Sequence, residues 1–86
     1  MKKKILGFII ANELEEFLVS YKDTEESTSV LWSRIPDLAK VFSDPEEAGR
    51  LSSTIYSPYK RWVCRLSDIG SQLIVEVSGD DVPPWI

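Results

Sequence analysis

The chain has 86 residues, a formal net charge of −4, and 43% hydrophobic, 10% aromatic and 28% charged residues. That balance describes one soluble globular domain, neither disordered nor fibrous. At this size one modest core is the limit, which argues against a two-domain enzyme or a dinucleotide-binding fold.

Histidine is absent and cysteine occurs once, as Cys64. The commonest general base near neutral pH and the commonest metal ligand are therefore missing. One thiol makes neither an internal disulfide nor a thiolate metal cluster. A reducing compartment fits, and a cytoplasmic location is expected. None of the four glycines sits in a phosphate-cradling pattern. The expectation is no cofactor, no metal, no catalytic residue and no enzymatic activity.

Lys2, Lys3 and Lys4 precede the apolar run Ile5–Ala11, a pattern shared by secretory leaders. The run is short, acidic residues follow at once, and no small-x-small cleavage site appears, so a buried strand is the preferred reading. No stretch approaches the roughly 20 apolar residues of a membrane span.

Lys4–Ile10 is apolar on both alternating faces, as in a central strand. A polar turn over Asn12–Glu15 leads to an alternating strand over Glu16–Lys22, and the two make a hairpin. Asp23–Thr28 reads as a solvated loop. Val30, Leu31 and Trp32 suit a short strand or an extended entry segment ending near Trp32. Pro36 fits a first helical position, and Asp37–Phe42 is expected to form a short helical turn with Leu38, Ala39, Val41 and Phe42 inward.

Ser43-Asp44-Pro45-Glu46-Glu47 opens a helix, either as a capping box from Ser43 to Glu46 or with Asp44 as the cap and Pro45 first. Ala48, Leu51 and Ile55 form its apolar stripe, and Ser57-Pro58 ends it. Tyr59–Leu66 and Ser71–Val77 alternate as strands around a turn at Ser67–Gly70, giving a second hairpin. Residues 78–86 form an irregular tail. The order ββαββ predicts a single α+β domain over 1–86: a mainly antiparallel sheet from an N-terminal and a C-terminal hairpin, with a helical middle on one face.

Three features are candidates for contact with a partner. Glu13, Glu15, Glu16, Asp23, Glu25 and Glu26 flank the second strand, where residues 11–30 sum to −5; such a surface steers onto a basic partner. Tyr59, Lys60, Arg61 and Trp62 combine aromatics with cations, as interface hot spots and base-stacking platforms do. Trp85 follows Pro83-Pro84 and serves either as a docking anchor or as a strap over the domain's own core. Cys64 shares a strand face with Trp62 and Leu66 and reads as a small core hydrophobe.

The expected role is binding: a small intracellular, non-catalytic module, an inhibitor or adaptor that blocks a larger macromolecule through an acidic or aromatic surface. Small acidic domains are common among phage and bacterial accessory factors, including anti-defence and anti-CRISPR proteins, and that general prior sets the class. The expected partner is a protein, such as a basic nucleic-acid-binding protein or complex; no membrane contact is expected. A homodimer through an open sheet edge is a further expectation. The alternative is direct nucleic-acid binding through the Tyr59–Trp62 segment, favoured by the +2 sum of residues 51–70 and opposed by the total of −4.

Overall fold

The computed structural model describes residues 3–77 and 79–86. Lys2, part of the leader-like pattern, and Ser78, the first residue of the expected tail, lie outside the described residues. The described residues form a five-stranded antiparallel sheet and one α-helix: β1 (Lys4–Asn12), β2 (Phe17–Asp23), β3 (Thr28–Ser33), α1 (Pro45–Thr54), β4 (Arg61–Asp68) and β5 (Leu73–Glu76). The sheet order is β3-β2-β1-β4-β5. The α+β class and the order of two hairpins around a helix hold; the sheet has one strand more than the two hairpins supply. The extra strand is β3, which pairs with β2 from Phe17↔Ser33 to Asp23↔Thr28.

β1 is central, as its two apolar faces require. It pairs with β4 from Lys4↔Asp68 to Asn12↔Arg61, with a bulge between Ile5 and Gly7. This long ladder joins the two hairpins. β4 continues through Ser67 and Asp68, so the reversal into β5 comes later than the Ser67–Gly70 motif predicts. Asp68 still shapes that reversal, accepting the Gly70 N–H at 2.7 Å.

Both sheet faces carry core. On one, Ile9, Ala11, Phe17, Trp62, Cys64 and Leu66 pack together, with Leu73, Val75 and Trp85 against them. On the other, Ile10 and Leu18 meet Phe42, Ala48 and Ile55, supported by Phe8, Leu51 and Val63. The second face is the helix side. Ala48 and Ile55 are buried and Leu51 half-buried, so the stripe read from the sequence is the packed one. Asp44 is the cap: its carboxylate accepts the Glu46 N–H at 2.9 Å, with Pro45 in the first turn. Fully buried aliphatics such as Ile9, Ile10 and Leu18 each contribute roughly 1.5–3 kcal/mol relative to exposure.

The expected helical turn at Asp37–Phe42 is largely absent. Only Pro36–Leu38 is helical, as a single 3-10 turn, and Leu38 and Val41 are exposed. The rest of the stretch is extended and wedged between β1 and β2. Lys40 donates its N–H to Leu18 O at 2.8 Å, and Phe42 exchanges two backbone hydrogen bonds with Phe8 at 2.7 and 2.8 Å. Ala39 packs with the first core and Phe42 with the second, so this segment carries the chain from one sheet face to the other. Backbone pairing with two strands outweighs a short helix, which nucleates poorly.

The wedge splays the first hairpin. Only Ala11↔Phe17 pairs β1 with β2. Below that pair, β2 and β3 leave as a two-stranded arm. Principal extents of 47 × 23 × 23 Å reflect the elongated shape.

Candidate functional site

The candidate residues fall into two groups at opposite ends of β2. The first group surrounds the β1–β2 turn. Asn12 organises it: Oδ1 accepts the N–H groups of Leu14 at 2.9 Å and Glu16 at 3.1 Å, and Nδ2 donates to Glu16 Oε1 at 3.0 Å. Glu15 takes the left-handed conformation at φ 60, which closes the turn. Glu13 Oε1 accepts the Lys60 N–H at 3.0 Å, while the Glu13 N–H donates to Lys60 O at 3.1 Å. Glu13, Glu16 and the start of β4 are thus tied into one scaffold.

Lys60 and Arg61 lie beside that turn, and both have internal partners. Lys60 Nζ donates to Asp81 at 2.8 Å and sits 5.1 Å from the Trp62 ring centroid. Asp81 is held below the usual carboxylate range, chiefly by the Lys60 hydrogen bond. Arg61 donates from Nε to Ser52 O at 2.9 Å and from Nη1 to Tyr59 O at 3.0 Å. It fastens the end of α1 to the connecting loop, where helix carbonyls lack partners. Tyr59 is exposed and Tyr56 fully so.

Trp85 is a strap. Its indole N–H donates to Asn12 O at 2.9 Å, and its ring meets Phe17 edge-on at 5.9 Å. Pro83 is buried beside it. The tail therefore closes the helix-free face over the β1–β2 turn. Cys64 is buried in the same layer, and burial pushes its thiol up to about 11. It stays protonated at physiological pH.

The second group is the arm tip. Thr24 and Ser27 close it, with Thr24 N–H on Ser27 O at 2.8 Å and Ser27 N–H on Thr24 Oγ1 at 3.1 Å. Asp23 accepts from the Thr28 hydroxyl at 3.0 Å. Glu25 and Glu26 project from the exposed tip, and among the described residues neither makes an ion pair. β2 spans seven residues, so the two acidic turns lie roughly 20 Å apart along the strand. They are not one patch.

Sequence reading overlooked a third polar cluster. Glu76 accepts from Ser67 Oγ at 2.8 Å, Lys3 Nζ at 3.0 Å and Arg65 Nη2 at 3.3 Å. These donors, Lys3 foremost, pull its carboxyl down to about 2. The polar side of the β4 and β5 alternation signals the cluster, since Arg65 and Glu76 are register partners.

Among the described residues, no group of three His, Cys, Asp or Glu side chains gathers as a metal site. No described helix is long and apolar enough to cross a membrane. Comparison with protein-family models, curated proteins and solved structures found no match for this chain.

Proposed function

We propose that this protein is a small binding module of a reducing, intracellular compartment, an inhibitor or adaptor that engages a larger protein through the acidic tip of the β2–β3 arm. The observation that carries this reading is the pairing state of the charges. Lys60 and Arg61 have intramolecular partners, whereas Glu25 and Glu26 stand at the exposed end of a projecting ribbon with no cation paired to them among the described residues. An unpaired acidic tip on an arm suits a basic groove, such as that of a nucleic-acid-binding protein. The same charge use counts modestly against direct nucleic-acid binding through Tyr59–Trp62: Arg61 is held by backbone carbonyls, whereas the Lys60–Asp81 pair is exposed and easily given up.

We propose a partner of the kind met by phage or bacterial accessory factors, anti-CRISPR proteins included. The experiment is affinity capture on immobilised protein, followed by binding measurements on the recovered partner at rising salt. Glu25→Lys/Glu26→Lys together should abolish capture, and salt should weaken it steeply. Capture that survives both changes counts against the arm tip. A low-salt shift of single-stranded or duplex oligonucleotides by the protein alone would favour the alternative.

A further inference from the structure

α1 packs mainly over β1 and β4, leaving the helix-side face of β5 uncovered. Between the start of α1 and β5 lies an open cleft of about 360 Å³, lined by Phe8, Pro45, Val63, Arg65, Glu76 and Val77. That volume is at the lower end of the ~300–1,000 Å³ range of small-molecule pockets. Phe8 and Val63 supply an apolar floor, and Arg65 and Glu76 a polar end.

The polar end is unevenly satisfied. Glu76 has its two closest donors in Ser67 at 2.8 Å and Lys3 at 3.0 Å. Arg65 offers it one longer bond, 3.3 Å from Nη2. Among the described residues, Arg65 Nε is shielded from solvent and has no acceptor. A guanidinium carries five N–H donors in a planar fork matched to a carboxylate. Lys3 and Arg65 against Glu76 also leave one positive charge in excess. None of the acidic side chains in the first turn of α1 lines the cleft.

We infer that this cleft binds a small amphipathic carboxylate, with an aryl-sized body on Phe8 and Val63 and its carboxylate on the Arg65 fork. The site is independent of the arm tip, so either can fail without the other. Arg65 fixes the ligand's orientation by charge-assisted hydrogen bonds, and the apolar floor sets its size.

The test is a titration of the full chain with phenylacetate, followed by two-dimensional amide NMR. Saturable shifts should map to Phe8, Val63, Arg65 and Val77. Phenylacetamide, matched in shape but neutral, should bind about tenfold more weakly. Arg65→Gln should erase that preference. Arg65→Lys, which keeps the charge and loses the fork, should retain an intermediate preference and decides the matter if Arg65→Gln unfolds. Equal binding of the two probes, shifts centred elsewhere, no saturable shift, or an unchanged preference in the variant that folds would each overturn the inference.

Discussion

A Cβ placed on Gly7 would sit 2.5 Å from the carbonyl oxygen of Phe42. Gly7 also holds φ at 149, in the region that L side chains rarely adopt. The contact lies where the crossing segment meets β1, so the missing side chain is what lets Val41 and Phe42 approach. Gly7→Ala should therefore cost at least about 2 kcal/mol of stability, combining backbone strain and steric clash. Urea denaturation is the measurement. A loss below about 0.5 kcal/mol would mean that the segment does not pack there as described.

Trp85 contributes an edge-on ring contact and one indole hydrogen bond. Trp85→Ala should destabilise by about 2–3 kcal/mol, less than a fully buried tryptophan because the ring is only half-buried. Trp85→Phe keeps the contact with Phe17 and removes the shorter of two hydrogen bonds to the Asn12 carbonyl, leaving that from Glu15 N–H at 3.3 Å, at a cost of about 1 kcal/mol. If the two variants proved equally mild in chemical denaturation, the strap would contribute little to holding the fold.

Glu76 titrates far below an ordinary glutamate in the folded chain. A carboxylate held down by folded-state partners adds stability above its unfolded pKa, about 4.3. That contribution is lost as pH falls through the folded value, about 2. Thermal midpoints of the parent chain and Glu76→Gln should therefore differ at pH 7 and converge between pH 5 and about 2. The difference should shrink with added salt, since the cluster is partly exposed. A gap between the two proteins that persisted undiminished at pH 2 would remove the charge explanation.

Much of this architecture is legible in the residues, and what is hidden has a common cause. β1 reads as central because both its faces are apolar, and α1 reads cleanly from Asp44, Pro45 and the Ala48-Leu51-Ile55 spacing, all local signals. β3 is harder to see, because Thr28 and Ser29 are polar and its strand character comes from β2 across the ladder. The stretch Leu38–Phe42 has helix-like apolar spacing, yet its backbone bonds to Leu18 and Phe8, far away in sequence. The candidate site divides the same way. The exposed acids of the arm tip follow from composition, whereas the internal engagement of Lys60 and Arg61 depends on Asp81 and Ser52, which no nearby pattern announces.

The inserted stretch has a consequence for how the molecule assembles. Extending the Ala11↔Phe17 register would set Phe8 opposite Ser20 and zip the first hairpin shut. In the native structure Phe8 bonds to Phe42 instead, and Leu18 O receives Lys40. The nearest-neighbour ribbon and the finished sheet thus compete for the same backbone groups. The native arrangement depends on backbone partners more than twenty positions downstream, so it has a higher contact order than a closed hairpin would.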